Sequence, residues 1–282
     1  MSHTENNKLK TDRAWNKLYA RFDSEGLLPV GDRQLIRPSR TWRWVGVAAA
    51  VLFLCVYITS SYFKTEPISV TQSLLTQENK ETSTLVTTLE DGSIVYLGGE
   101  TSLQYPEHFL PEKREVALQG KALFDVAGNR KRPFLIETGD VQIEVIGTAF
   151  NVKSDGATPF ELSVQRGKVK VTLKKSGQAV YVQAGETVTL VNRDLHLSSN
   201  KDAGQFARYL ESMRFKDEPL NNILRVVNLH AADAQLQASP SLGERRLTVA
   251  FSNDTPQSMA ELICLAMNLK CKREGNVLTL SE

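Results

Sequence analysis

The sequence predicts a mostly β protein with a smaller α+β part, held to a membrane by a single helix. Three observations predict this fold class. Residues 45–63 form an apolar run without charge. Residues 84–200 consist of short β-type runs separated by turn residues. Residues 208–282 repeat a strand–helix–strand pattern twice.

Length and charge limit the class of protein. The chain has 282 residues, which is room for one large domain or two to three small ones. A formal net charge of +2 argues neither for nor against nucleic acid, and no direct nucleic-acid partner is predicted. The charge is unevenly spread, because residues 1–44 hold nine Lys or Arg against five acidic residues.

The segment 1–44 is too short for a core of its own, but a peptide of this length can fold on a partner. Apolar residues recur at i, i+3, i+4 and i+7, which predicts one face of a helix from Thr11 or Asp12 to Gly26. That face consists of Trp15, Leu18, Tyr19 and Phe22. Such a helix fits a groove on a cytoplasmic protein, or it lies on anionic lipid. The groove is the preferred interpretation.

Residues 45–63 are the predicted transmembrane helix. Nineteen residues at about 1.5 Å each nearly match a hydrocarbon core of roughly 30 Å. Aromatic and basic residues flank the run, as at a membrane interface. The predicted interface residues are Trp42, Arg43, Trp44 and Tyr62. The positive-inside rule places residues 1–44 in the cytoplasm and residues 64–282 outside it.

Two other interpretations of this run fit less well. A cleaved signal peptide would begin nearer the N-terminus, and a small-residue cleavage site would follow it. A helix buried in a globular core would usually show an amphipathic pattern, which this run lacks.

The outer part of the chain begins with a polar stretch, residues 64–83, predicted as a linker or an irregular first strand. From residue 84 to 200, β-type runs recur about every ten residues, which predicts a sandwich, barrel or solenoid-like domain. At its centre stands VQIEVIGTAFNVKSDG, residues 141–156. This segment is predicted to form two core strands broken at Gly147-Thr148, where glycine permits a bulge or corner. Its predicted role is packing.

Residues 208–282, the last module, are predicted to form a small α+β domain of duplicated β-α-β units. Residues 214–232 and 249–268 share one plan, in which a strand end, a Pro-containing turn and a helix follow one another. Phe251 holds the position in the second unit that Phe215 holds in the first.

Several motifs stand in a fixed order between about 85 and 190. They are DGSIVYLGGETSLQYP (91–106), REVALQGKALFDV (114–126), RPFLIET (132–138), VIGTAFNV (145–152), VQRGKVKV (164–171) and QAGE (183–186). In this order they resemble the FecR family of transmembrane anti-sigma regulators. The departures from the family pattern are conservative changes or changes on the surface. They are Lys121 for Glu, Ile146 for Leu, Ala184 for Pro, and Gly98-Gly99 for Asn. The last module resembles the C-terminal module of Bacteroidetes-type FecR-like proteins and the short signalling domain of some outer-membrane receptors.

The resemblance implies a bacterial inner-membrane protein with a cytoplasmic N-terminus and a periplasmic C-terminus. It implies that the inner segment binds an extracytoplasmic-function sigma factor. It also implies that the outer part reads the signalling domain of a TonB-dependent outer-membrane receptor, and that a site-specific membrane protease releases the signal. An exposed strand of the last module would pair with that domain by edge addition. The sequence does not specify which strand this is. The alternative is a membrane-anchored periplasmic scaffold or saccharide-binding protein.

The sequence predicts no enzyme and no cofactor. The four histidines, at positions 3, 108, 196 and 230, have no neighbours at metal-ligand spacing. Asp91-Gly92-Ser93 is interpreted as a β-turn, because no Gly-x-Ser-x-Gly elbow and no following helix accompany it. No glycine-rich phosphate loop is present.

The cysteines differ by predicted compartment. Cys55 lies in the predicted span, where it acts as a small apolar residue. Cys264 and Cys271 lie in the last module, outside the cytoplasm, where disulfides persist. A disulfide between them and two buried thiols are equally compatible with the sequence.

Overall fold

A computed structural model describes residues 3–26, 54, 57, 73–231 and 233–282. The chain divides into two compact units, Met1–Ser69 and Val70–Glu282. Within the described part, no helix combines the length and apolarity needed to cross a membrane. The predicted span at 45–63 lies outside the described residues except for Leu54 and Tyr57, and the four predicted interface residues lie outside them entirely.

The described part of the first unit contains one long helix, α1 (His3–Ser24). It starts before the predicted cap at Thr11 or Asp12, because the preceding residues include the good helix formers Lys8, Leu9 and Lys10. It ends where predicted: Glu25 N–H donates to the carbonyl of Arg21 at 3.0 Å, and Gly26 is left-handed with φ of 65°.

In the second unit, residues 74–199 form the β domain, which has thirteen strands among its described residues. They are β1 (Leu74–Asn79), β2 (Thr84–Thr88), β3 (Ile94–Leu97), β4 (Thr101–Pro106), β5 (Arg114–Asp125), β6 (Phe134–Glu137), β7 (Val141–Val145), β8 (Ala149–Ser154), β9 (Glu161–Arg166), β10 (Lys168–Leu173), β11 (Ala179–Gln183), β12 (Glu186–Val191) and β13 (Asp194–Ser199). The predicted all-β character of this region is confirmed.

Strand β5 joins the two sheets of the β domain. Its first half pairs with β4 and β6, and its second half pairs with β3 and β8. The strand changes sheets at Gly120, where φ is 115° and a Cβ would lie 2.8 Å from Cα of Thr101. Only glycine fits both the left-handed backbone and this close approach. The two sheets enclose one apolar core around Phe124, Phe134 and Phe150.

The central segment 141–156 forms β7 and β8, with the break at the predicted place. Gly147 is required there by space, because a Cβ would meet the Cα of Gly128 at 2.7 Å. Thr148 supports the corner, since its hydroxyl donates to the carbonyl of Lys168 at 3.1 Å and its carbonyl accepts from Val126 N–H at 3.0 Å.

The last module follows the predicted β-α-β order twice. After a short 3-10 turn (Ala203–Gln205) come α2 (Arg208–Glu211), β14 (Ser212–Pro219), α3 (Leu220–His230), β15 (Gln235–Ala238), a second 3-10 turn (Pro240–Leu242), β16 (Arg246–Ser252), α4 (Pro256–Met267), β17 (Lys270–Glu274) and β18 (Val277–Ser281). Strands β15, β18 and β17 form a separate three-stranded sheet. The two corresponding phenylalanines, Phe215 and Phe251, pack edge to face with ring centroids 6.0 Å apart.

The last module is continuous with the β domain. Strand β14 pairs in parallel with β2, and β16 then pairs with β14, so one sheet runs from the β domain into the module. Strands β2 and β3 are buried on both faces: Leu85 and Val95 point into the first core, while Val86 and Tyr96 point into a second core shared with α3 and α4. Residues 70–282 form one compact unit, in which the two predicted domains, 84–200 and 208–282, share a sheet and a core.

The predicted linker also contains regular structure. Residues 74–79 form β1, which pairs antiparallel with β4 from Leu74 opposite Pro106 to Asn79 opposite Thr101. The second of the two sequence interpretations, a first strand, applies to this part of 64–83. Its only buried residue is the polar Asn79, so the strand lacks the apolar alternation by which a sequence indicates a half-buried strand.

Candidate docking surfaces and the junction that supports them

The first candidate surface is the aromatic face of α1. The side chains of Trp15, Leu18 and Phe22 are 55%, 46% and 39% exposed. They stand at i, i+3 and i+7, so they lie on one side of the helix. An exposed apolar stripe of this kind is the feature by which amphipathic helices occupy a groove. The structure leaves the side chain of the fourth predicted residue, Tyr19, undescribed.

The basic residues of α1 complete its amphipathic character. Arg13, Lys17 and Arg21 are all exposed. Arg21 also pairs with Glu25 one turn later, at 3.3 Å. An exposed pair of this type contributes little to stability, because water screens it. These cations therefore remain available for an acidic surface.

The turn at Asp91-Gly92-Ser93 has a structural role in the second unit. Gly92 N–H donates to the carbonyl of Leu89 at 3.0 Å, which closes a β-turn between β2 and β3. Ser93 donates to Asp91 twice, from its N–H at 3.0 Å and from its hydroxyl at 2.7 Å. The Ser93 hydroxyl also accepts from Ala127 N–H at 3.0 Å. The side chains of Asp91 and Ser93 are thus used in holding the turn.

A buried arginine extends this network. Arg114 at the start of β5 donates from Nη1 to Asp91 Oδ2 at 2.6 Å and to the carbonyl of Ala127 at 2.8 Å. Its Nε donates to the carbonyl of Arg132 at 2.9 Å. Its guanidinium lies over the ring of Phe134, 5.3 Å from the centroid. Three of the sequence motifs therefore meet at one side chain.

The junction between the β domain and the last module contains a buried amide cluster. Tyr209 donates from its hydroxyl to Asn151 Oδ1 at 2.7 Å, and Asn151 Nδ2 donates to Gln205 Oε1 at 2.8 Å. Asn151 and Gln205 are buried. Burial raises the pKa of the Tyr209 phenol, so the hydroxyl stays protonated and serves as a donor.

Two further contacts cross the same junction. The Tyr96 hydroxyl lies 2.8 Å from His230 Nε2, and Arg225 Nη1 donates to the carbonyl of Gly92 at 2.7 Å. Desolvation at the junction lowers the pKa of His230. Because Gly92 belongs to the Asp91 turn, helix α3 is tied directly to that turn.

The opposite side of the junction is held by Asn79, at the end of β1. Its Nδ2 donates to the carbonyls of Leu97 and Gly98 at 2.9 and 3.0 Å. Its Oδ1 accepts from Arg214 Nη2 of β14 at 3.2 Å, while Arg214 Nη1 pairs with Glu81 at 3.1 Å. The predicted linker therefore supplies a fixed contact to the last module.

Sequence reasoning found the exposed aromatic face but missed the junction residues. One available signal was the polar Asn151 inside the apolar run of β8, since a buried amide needs a hydrogen-bonding partner. Two carboxylates on the strands have ordinary partners: Glu115 pairs with Lys113, and Glu137 pairs with Lys174 at 2.7 Å. Among the described residues, no group of three His, Cys, Asp or Glu side chains could hold a metal.

The two cysteines of the last module are free thiols in the structure. Cys264 is buried on α4, and Cys271 is half-buried on β17. Burial, together with the adjacent Cys271 thiol, raises the pKa of Cys264 to about 11. Of the two alternatives that the sequence left open, a disulfide or two buried thiols, the structure has two free thiols, of which only Cys264 is buried.

The second unit is a β scaffold, and α1 of the first unit offers a candidate docking surface. Residues 76–193 match the protein family described as FecR protein. This range spans the six quoted motifs, so the resemblance drawn from them is confirmed for this part of the chain, which we call the FecR domain. Among curated proteins, none matches the chain significantly.

Solved structures provide a further comparison. Two crystal structures of a "putative anti-sigma factor" from Parabacteroides distasonis ATCC 8503 are similar to this chain, each with 20% sequence identity and a TM-score of 0.46. Each comparison covers 74% of this chain and 99% of the other.

Proposed function

We propose that this chain is a single-pass anti-sigma regulator of a bacterial inner membrane. Its cytoplasmic helix binds an extracytoplasmic-function sigma factor and withholds it from RNA polymerase. Its periplasmic unit receives a signal from the signalling domain of a TonB-dependent outer-membrane receptor. The role is regulatory, and no catalytic step or cofactor belongs to it.

The observation that carries this proposal is the FecR domain at 76–193. The network around Arg114 and Asp91 accounts for three of its six motifs by packing. A domain whose motif residues serve its own rigidity in this way is suited to positioning another surface. That surface is the last module, which shares its sheet and its second core.

The exposed side of α1 supports the inner half of the relay. Trp15, Leu18 and Phe22 present aromatic and aliphatic side chains to solvent, which suits a partner with an apolar groove. A single bilayer-spanning helix at 45–63 would separate this helix from the FecR domain. Because one helix transmits little conformational change, we propose release by a site-specific membrane protease.

Binding of purified sigma factors to the full chain in detergent micelles tests the inner half. The probes are the host's extracytoplasmic-function sigma factors, each titrated separately. The Trp15→Ala/Phe22→Ala variant should weaken binding at least about tenfold, because such aromatic side chains dominate interface energies. The matched control is Arg13→Ala/Lys17→Ala, which changes the basic residues of the same helix and should retain most of the affinity.

Each outcome distinguishes the candidate functions. The proposal is supported if the aromatic variant loses binding to one sigma factor and the basic variant keeps it. If only the basic variant weakens binding, and anionic vesicles bind the chain as well as the sigma factors do, α1 is an interfacial helix. If no sigma factor binds, the anti-sigma proposal loses its mechanism, and a periplasmic scaffold becomes the better account.

A further inference from the structure

Among the described residues, the last module has three strands with an unpaired edge: β15, β16 and β17 each pair with a neighbour on one side only. An unpaired edge presents backbone N–H and C=O groups that another strand can use, so natural proteins usually block it. The three edges differ in how they are blocked.

The edge of β15 is closed by a side chain. Asn228 on α3 donates from Nδ2 to the carbonyl of Leu236 at 2.8 Å and accepts Leu236 N–H on Oδ1 at 2.7 Å. This amide occupies both backbone groups of Leu236, as a neighbouring strand would. An incoming strand would have to displace it.

The edge of β17 is protected by charge. Lys270, Lys272, Arg273 and Glu274 are all exposed on this strand of five residues. Charged side chains, lysine above all, are a common device against edge pairing. This edge is therefore unsuited to a partner strand.

The centre of the β16 edge has neither protection, and among the described contacts a side chain caps the edge only at its last residue, Ser252. Asn253 N–H donates to the carbonyl of Glu211 at 2.8 Å and Leu220 N–H donates to the carbonyl of Arg245 at 2.9 Å, so the odd-numbered residues face β14. By strand alternation, the backbone groups of Arg246, Thr248, Ala250 and Ser252 face outward. Ser252 N–H is capped by Asp254 Oδ2 at 2.8 Å, which agrees with this assignment.

The side chains along β16 also suit pairing. Thr248 and Ala250 are small, uncharged and exposed, so a neighbouring backbone can approach closely. Leu247 and Phe251 on the other face are buried. Arg246 at the start of the strand, which also pairs with Asp217 of β14 at 3.5 Å, and Asp254 beyond its end give the edge a positive and a negative end. The strand has seven residues, so the edge offers a short ladder with a defined direction.

The size of this edge limits the kind of partner. One added strand of this length buries far less than the roughly 1,200 Å² at the lower limit of stable protein interfaces. A permanent dimer with a second copy is therefore disfavoured, and a transient partner is favoured. Because β16 continues through β14 into β2 of the FecR domain, an added strand would extend the sheet that joins both parts.

We infer that the outer edge of β16 is where an extended strand of the receptor's signalling domain pairs with this chain. The inference rests on the proposed function for the identity of the partner. It assigns the strand that edge addition requires: the N–H and C=O groups of Thr248 and Ala250 form the central ladder bonds. The incoming strand would carry an acidic residue toward Arg246 and a basic residue toward Asp254.

The test uses the full chain in detergent micelles and, as probes, the purified N-terminal periplasmic domains of the host's TonB-dependent receptors. Ala250→Pro removes one outward N–H and leaves the bonds to β14, which proline tolerates on an edge. Arg273→Pro is the matched control, because the two-residue turn at 275–276 makes Arg273 an outward-facing residue of β17. Ala250→Lys is the second blocking variant if the proline variant melts early.

We expect one receptor domain to bind the unaltered chain and to slow hydrogen exchange at the Thr248 and Ala250 amides. Ala250→Pro or Ala250→Lys should weaken it at least about tenfold, and Arg273→Pro should change it less than about twofold. If the β16 variants bind as the unaltered chain does, or if Arg273→Pro weakens binding equally, the β16 assignment is wrong while the receptor relay stands. If no receptor domain binds the unaltered chain, the receptor half of the proposed function fails, and the β16 assignment fails with it.

Discussion

Arg114 Nη1 lies 2.6 Å from Asp91 Oδ2, in an ion pair whose side chains are only 1% and 7% exposed. This pair connects the turn between β2 and β3 to the start of β5. The same guanidinium covers the ring of Phe134 and holds the carbonyls of Ala127 and Arg132. The Asp-Gly-Ser turn and the Pro-Phe pair, far apart in sequence, both surround this arginine.

Removing the arginine should strongly destabilise the domain. The Arg114→Met substitution nearly keeps the volume of the side chain, but Asp91 loses its buried cation. Breaking a buried pair in this way typically costs about 3–5 kcal/mol. Urea unfolding of the full chain in detergent, followed by the second unit's β-sheet circular dichroism, measures the change.

The matched control is Arg166→Met, because Arg166 pairs with Asp125 at 2.7 Å but is 66% exposed. A surface pair contributes about 1 kcal/mol or less. If both variants lowered the free energy of unfolding equally, the buried Asp91 pair would contribute no more to stability than the exposed Asp125 pair.

The junction hydrogen bond of Tyr209 should also be measurable. Tyr209→Phe leaves Asn151 Oδ1 buried without its donor, at a cost of about 1–3 kcal/mol. We expect faster trypsin cleavage at the exposed Lys201, just before α2, because the connection between the two parts loosens. Tyr181→Phe is the control, since this ring is half exposed and its hydroxyl makes no hydrogen bond in the described structure. Equal cleavage rates in all three proteins would show that the Tyr209 bond does not restrain the junction.

The strands were predictable where alternation and turn glycines agree. Residues 141–156 form two strands broken at Gly147, because the alternating residues Val141, Ile143 and Val145 all face one core. The duplicated units of the last module were predictable for the same reason, since α3 and α4 each bury one face.

The shared core was not predictable from the pattern alone. Val86, Ile94 and Tyr96 lie on the faces of β2 and β3 that a lone sandwich would turn to solvent. Their apolarity indicates strands, but it does not indicate which part of the chain covers these faces. The hydrogen bonds of Asn79 and Asn151 join residues far apart in sequence, and no local pattern specifies such partners. For α1, the exposed stripe follows directly from i, i+3 and i+7 spacing.

Glu218 should make stability depend on pH. This carboxyl is 7% exposed, and burial raises its pKa above the ordinary 4.5, although Asn222 donates to it at 2.8 Å. As pH rises above 4.5, the unfolded chain loses the proton first, so the free energy of unfolding falls until the folded carboxyl also ionises. The loss lies above pH 4.5, up to the raised folded pKa.

Glu218→Gln should remove this dependence, because the amide keeps an acceptor for Asn222 without a titrating proton. At neutral pH the variant should be more stable than the unaltered protein, and near pH 4 the difference should shrink. Denaturant unfolding at both pH values measures it. The control is Glu261→Gln at an exposed position of α4. It should leave the difference in stability between the two pH values as it is in the unaltered protein. A variant that is less stable at neutral pH would show that the ionised carboxylate stabilises the fold.

Cys264 and Cys271 should form an intramolecular disulfide when oxidised. Their side chains are adjacent, but burial and the neighbouring thiol hold the pKa of Cys264 near 11, so little reactive thiolate exists at neutral pH and oxidation should be slow. The test uses a Cys55→Ser background treated with diamide, in which intact mass should fall by two hydrogens. Closing so short a loop should raise the free energy of unfolding by about 2 kcal/mol. Cys271→Ser should show neither change, whereas crosslinks between copies, or thiols that stay open to alkylation, would contradict the pairing.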